Sequence, residues 1–215
     1  MIRTDLLKGR IVLNRTVSEI NGELVVIRDL VYGTYIHGGG LPQSGGLAEV
    51  IWKQTLSKFK NQKPEIKSVL IIGLGGGSIA KLTREYWPEA EITGVDIDPV
   101  IVELGKKYLK LDKSNVDIHI QDAEVFIKEQ VKKGNKFDLV CFDTYVKTKF
   151  PKKFETIQLI KLVKKLLFEK GAVIFNRLYG SKERDNAVKF EKVLKKAFNK
   201  IDRVYPEANI MFICS

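Results

Sequence analysis

Cysteine, histidine and long apolar runs are what this 215-residue sequence has least of, and each shortage removes a class of function. Its two cysteines, Cys141 inside an apolar run and Cys214 near the C-terminus, have no metal-ligand spacing, so neither a disulfide framework nor a structural zinc is expected. His37 and His119 are isolated and read as structural histidines, so no metal centre is expected. No apolar stretch approaches the roughly 20 residues that cross a bilayer. The opening MIRTDLLKGR lacks the apolar segment of a secretory signal, so the expectation is a cytoplasmic protein without a membrane partner. Acidic residues are also the minority, 26 against 37 basic, for a net charge of +11. Because 29 of the basic residues are lysines scattered along the chain, the excess reads first as solvated surface. A nucleic-acid or anionic partner is the less favoured reading.

What is present is organised in two parts. Residues 10–36 are β-branched and aromatic, with Asn21-Gly22 between two such runs, which predicts a hairpin with a type I′ turn followed by a third strand. HGGGLPQSGG, residues 37–46, reads as a loop, and the stretch after it has helical spacing at Leu47, Val50, Ile51 and Leu56. From residue 68 onward, short apolar runs at 68–72, 91–96, 116–120, 137–142 and 171–175 alternate with helical patterns near 77–86, 99–110, 123–133, 153–168 and 183–198. Such alternation predicts an α/β fold with a parallel sheet covered on both faces. The tail reads as two antiparallel strands joined by a Tyr-Pro-Glu-Ala turn. The expected organisation is a small three-strand N-terminal β region over 1–46 and a catalytic domain over 47–215.

The run VLIIGLGGGSIAK puts Gly73, Gly75, Gly76 and Gly77 in the turn between a strand and a helix, where a backbone without Cβ can approach a ligand. No Gly-Lys-Ser/Thr follows, which excludes a P-loop, and Ser78 stands where a dinucleotide fingerprint has its third glycine or alanine. The next strand ends in GVDIDP. Asp96, with Ile97 after it, is placed to hold a ribose diol, whereas Asp98 before Pro99 reads as a helix N-cap. After the third strand, Asp122 and Ala123 suit an adenine amino group and ring nitrogen, with a plain helix cap as the alternative for Asp122. After the fourth, CFDTY brings Asp143 out of a buried strand, a costly place for a carboxylate without a use.

Acids and glycines at the ends of four successive strands form the site layout of the class I S-adenosylmethionine-dependent methyltransferase fold, Rossmann-like with seven strands and an antiparallel C-terminal hairpin. Nearly the whole chain resembles one branch of it, the spermidine synthase-like proteins, through LPQSGG, VLIIGLGGGS, GVDIDPVIVELGKKYL, QDAEVFI, FDLVCFDTY and YPEANIMFICS. The resemblance implies that Gln43, Gly73, Gly75, Gly76, Asp96, Ile97, Asp122 and Ala123 bind S-adenosylmethionine or its decarboxylated form. It implies that Asp143 works at the reaction centre with Tyr145 shaping the pocket. By family analogy alone, the N-terminal β region is a homodimer contact.

Two departures bear on the reaction. Aminopropyltransferases carry Gly-Gly-Gly-Asp-Gly-Gly in the loop, and Gly76 takes the acidic place here; their Asp-x-x-Asp-Pro becomes DTYVK, with Val146 for the second acid. A decarboxylated donor benefits from a protein carboxylate opposite its ammonium, whereas intact S-adenosylmethionine brings its own carboxylate and suits bare backbone N–H groups. Lys147, Lys149, Lys152 and Lys153 flank the expected acceptor pocket and would repel a polyamine within a Debye length of about 8 Å, unless they point outward. Methyl transfer to a small or anionic acceptor is therefore expected. Aminopropyl transfer to a polyamine and a non-catalytic adenosyl- or nucleic-acid-binding module are the alternatives.

Overall fold

Arg10–Ser18, Gly22–Asp29 and Gly33–Gly38 form the three expected antiparallel strands, but the N-terminal sheet has five. The computed structural model describes residues 4–5 and 9–215, so residues 1–3 and 6–8 of the N-terminal region lie outside the described residues. With β1 at Thr4–Asp5, the three strands become β2, β3 and β4, and the segment expected as a loop supplies β5, Leu41–Gly45. The physical reason lies in Gly39 and Gly40, whose φ values of 60° and 91° make a two-residue hairpin turn that brings Leu41 back beside Gly38. The turn at Asn21-Gly22 differs from expectation too. Ser18 pairs with Gly22 across three turn residues and only Gly22 takes a positive φ, 73°, which is a bulged turn in place of type I′.

The rest alternates as the sequence predicts: α1 (Gly46–Gln62), β6 (Ser68–Ile72), α2 (Ser78–Tyr86), β7 (Glu91–Asp96), α3 (Pro99–Leu109), β8 (Val116–Ile120), α4 (Ala123–Lys133) and β9 (Phe137–Phe142). Then follow α5 (Ile157–Lys165), β10 (Leu167–Leu178), α6 (Arg184–Leu194), β11 (Ile201–Val204) and β12 (Asn209–Cys214). Helix starts are fixed locally: Asp98, Asp122 and Thr156 each accept N–H groups from the first turn of the helix that follows. Helix α5 is shorter than expected and β10 longer, because Leu166 accepts the Phe137 N–H and Leu167 pairs into the sheet.

Strand order in the seven-stranded sheet is β11-β12-β10-β9-β6-β7-β8. Alternate residues of its central strands feed opposite faces. Val69, Ile71, Leu139 and Cys141 pack with Trp52, Ile79 and Ile101, while Leu70, Ile72, Val140 and Phe142 pack with Phe126, Ile160 and Phe190. Leu24, Val26 and Ile36 of the N-terminal sheet belong to the first of these clusters. The chain leaves β6 toward β7 and β8, then returns to lay β9 on the other side of β6, which opens a crevice at their carboxyl ends.

Candidate functional site

That crevice is a cavity of about 470 Å³, roofed by β5 and α1 and floored by the ends of β6, β7, β9 and β10. The glycines are required by close approach. Gly73 has φ 87°, and a Cβ on it would lie 2.2 Å from the Asp143 carbonyl oxygen. The loop does not, however, offer the bare N–H groups expected of it. Gly73 and Leu74 both donate to Val95 O, Gly75 donates to Asp96 Oδ2 at 2.7 Å, Gly76 to Ser44 Oγ at 2.6 Å and Gly77 to Leu74 O. Gly76, expected among the ligand contacts, is buried away from the cavity wall. A Cβ there would meet Ile36 Cδ1 at 2.7 Å and Leu109 Cδ1 and Ser44 Cβ at 2.9 Å. The start of α2 lies on this wall, where Ser78 and Ile79 line the cavity and no side-chain cap or acid occupies the first turn.

Asp96 reaches the wall with one oxygen on Gly75 N–H and the other on Asp98 N–H, with half-exposed Ile97 beside it. Burial pushes its carboxyl above the ordinary range against the pull of those N–H groups. Asp98 is the N-cap, accepting from Val100 N–H at 2.9 Å, and its other oxygen holds the β2–β3 turn through Ser18 Oγ and Asn21 Nδ2. Asp122 and Ala123 both line the cavity. Asp122 caps α4 with one oxygen and pairs with Lys153 through the other; burial raises its carboxyl, and the Lys153 ammonium with the cap N–H groups outweighs this and holds it below the usual range.

Asp143 is held from two sides. Its Oδ2 accepts the Trp52 indole N–H at 2.6 Å and its Oδ1 accepts Asn176 Nδ2 at 2.8 Å. Asn176 Oδ1 in turn accepts Asn209 Nδ2 at 2.7 Å. Burial pushes Asp143 upward, opposed by those two donors and reinforced by the nearby Asp96 carboxyl. No lysine, arginine or histidine among the described residues pairs with it. Tyr145 presents its ring, since its hydroxyl accepts Leu178 N–H at 2.8 Å and donates to Asn176 O, and burial raises the phenol. Gln43 lies on the wall and donates its amide to Gly38 O and Lys147 O.

Of the four lysines, only Lys147 and Lys153 line the cavity, and the charge of Lys153 is matched by Asp122. Glu207, in the β11–β12 turn with φ 52°, adds a fourth carboxylate to the wall beside Asp96, Asp122 and Asp143. Sequence reasoning missed Trp52, Asn176, Asn209 and Ser44. Asn176 carried a usable signal, a polar residue ending the apolar run AVIFN as Asp143 ends its own; Trp52 carried none, being one more apolar residue on a helix.

Residues 50–210 match the spermine/spermidine synthase domain family. A polyamine aminopropyltransferase of Vibrio vulnificus is 35% identical over 127 residues, 59% of this chain and 42% of the relative. An eEF1A lysine and N-terminal methyltransferase homolog of Drosophila melanogaster is 28% identical over 147 residues, 65% of this chain and 20% of the relative. The chain thus spans less than half the length of either relative. The crystal structure of spermidine synthase from Thermotoga maritima superposes with a TM-score of 0.76 at 19% identity, covering 94% of this chain and 71% of that one, which shows a shared fold.

Proposed function

The chain belongs to the spermine/spermidine synthase domain family, and from that premise we propose that it is an S-adenosylmethionine-dependent transferase moving a methyl group to a small acceptor. The cavity suits a sulfonium. Asp143 is a half-buried carboxylate on the cavity wall with only neutral donors around it, so a ligand cation supplies the missing counter-charge. Asp96 suits the ribose, and Asp122 with Ala123 the adenine.

The observation that carries the choice of methyl over aminopropyl transfer is Gly76. The chain lacks the acid and packs Ile36, Leu109 and Ser44 against the position, while the uncapped start of α2 lies on the cavity wall and suits a donor that keeps its carboxylate. The lysine loop gives little support for an anionic acceptor, because Lys153 is paired and Lys149 and Lys152 are off the wall. In the reaction the acceptor's lone pair forms a bond to the methyl carbon as the carbon–sulfur bond breaks, and S-adenosylhomocysteine leaves. Asp143 orients the nucleophile and takes the proton it sheds.

Aminopropyl transfer remains the second reading. It is favoured by Glu207 on the wall, a carboxylate that can stand in for the acid lost at Val146, and by the Vibrio relative's activity. Incubating the protein with either sulfonium donor and a set of amine acceptors decides between them. S-adenosylhomocysteine is the expected product, and methylthioadenosine formation overturns the proposal. Calorimetry showing that neither sulfonium binds would favour a non-catalytic module.

A further inference from the structure

A carboxylate at the end of a buried strand ordinarily has a cation beside it or is neutral. No lysine, arginine or histidine among the described residues pairs with Asp143, so a cation is what its surroundings lack. The titratable groups facing it are the Asp96 carboxyl from β7, the Cys141 thiol of its own strand and the Tyr145 phenol after it; Arg177, next to Asn176 on β10, pairs with Glu155 and lies over Phe150 and Phe190. What touches the carboxylate is one N–H from α1 and one from β10, each on a different oxygen. Trp52 is 1% exposed and Asn176 7%, so neither donor is a mobile surface group. Asn176 cannot rotate freely, because Asn209 on β12 holds its oxygen and thereby fixes which end of the amide faces Asp143.

We propose that Trp52 and Asn176 are positioning residues that clamp the Asp143 carboxylate by one lone pair on each oxygen, leaving the second lone pair of each for a single ligand cation in the cavity. The inference rests on the reading of Asp143 as the site's cation partner. Two neutral donors suit this task. They oppose the desolvation of the ionised carboxylate without cancelling its charge, as a lysine or arginine in their place would. A charge left uncancelled attracts a sulfonium or ammonium, and a carboxylate fixed at both oxygens presents it in one orientation. The Asn209–Asn176–Asp143–Trp52 chain also ties the reaction centre to β12, β10, β9 and α1, elements on both sides of the crevice.

The test reads the carboxyl carbon of Asp143 by NMR during a pH titration, with the resonance assigned from Asp143→Asn, and needs no turnover. Trp52→Phe and Asn176→Leu are each expected to move its midpoint upward by about one to two units, as loss of a hydrogen bond to a charged group implies. Asn176→Gln, which keeps an amide donor, is expected to stay within about half a unit of the parent. Circular dichroism confirms that each variant is folded. Midpoints unchanged in both folded Trp52→Phe and folded Asn176→Leu overturn the inference. If one variant fails to fold, the other together with Asn176→Gln decides. Absence of any transfer reaction in the parent protein would sink the proposed function while leaving the titration to judge the clamp.

Discussion

The Ser44 hydroxyl on β5 accepts the Gly76 N–H at 2.6 Å, so the last strand of the N-terminal sheet closes the glycine loop of the seven-stranded one. Both groups are buried. Ser44→Ala leaves the Gly76 N–H without an acceptor in a place water does not reach, which costs about 1–3 kcal/mol. The urea midpoint should fall accordingly, with adenosyl-ligand affinity falling alongside. A loss smaller than about 0.5 kcal/mol would mean that the contact is not made in solution.

Gly76→Asp restores the residue of the aminopropyltransferase loop without restoring its function. The new Cβ starts 2.7 Å from Ile36 Cδ1 and 2.9 Å from both Leu109 Cδ1 and Ser44 Cβ; the two apolar tips can shift, but Ser44 Cβ is fixed by its own strand. Overpacking costs about 1–3 kcal/mol and an unpaired buried carboxylate adds to it. The expected result is a folded state destabilised by about 3 kcal/mol or more, with no gain in affinity for decarboxylated S-adenosylmethionine by calorimetry. Tight binding of that donor by the variant would show that the side chain reaches the cavity and would remove the basis for preferring methyl transfer.

The parallel part of the fold was legible because its central strands β6 and β9 are buried along nearly their whole length and read as apolar runs, and because β7 and β8, more exposed toward the sheet edge, still carry β-branched residues at strand spacing. The N-terminal sheet was less so. Gly39 and Gly40 look like loop residues in sequence, yet their positive φ values are what fold β5 back onto β4. In the site, Asp96, Asp122 and Asp143 announced themselves as acids at strand ends, and all three line one cavity. Their partners were hidden, because Trp52 meets Asp143 across 91 residues and Ser44 meets Gly76 across 32. No local pattern encodes such pairings.

Lys153 bridges the loop after β9 to the cap of α4 through Asp122. The Asp122 carboxyl is held below its ordinary value, so its contribution to stability is present above the unfolded-state pKa and lost as pH falls through the lower folded-state value. Both partners are about a third or more exposed, which limits the pair to about 1 kcal/mol. Lys153→Met should therefore change stability at pH 7 by no more than that, and narrow the difference between urea midpoints measured at pH 7 and pH 3. A wider difference in the variant would contradict the assignment.

The affinity for a sulfonium should itself depend on pH through Asp143. Burial raises its carboxyl above the ordinary 3.8, so the folded, empty cavity takes up a proton at a pH where an exposed aspartate is still ionised. A bound cation favours the ionised form, which makes affinity full at neutral pH and weaker as pH falls through the raised value, starting above the range of a normal carboxylate. Asp96 is raised by the same burial and contributes to the same decline, so Asp143→Asn should flatten the larger part of it and Asp96→Asn the remainder. At pH 7 Asp143→Asn should weaken S-adenosylmethionine binding about ten- to hundredfold, as expected for losing a charged acceptor. Calorimetry from the ordinary aspartate value of 3.8 up to about pH 8 measures both effects. A parent affinity that does not change over that range, together with an Asp143→Asn variant of equal affinity, would show that the Asp143 carboxylate is not what holds the cation.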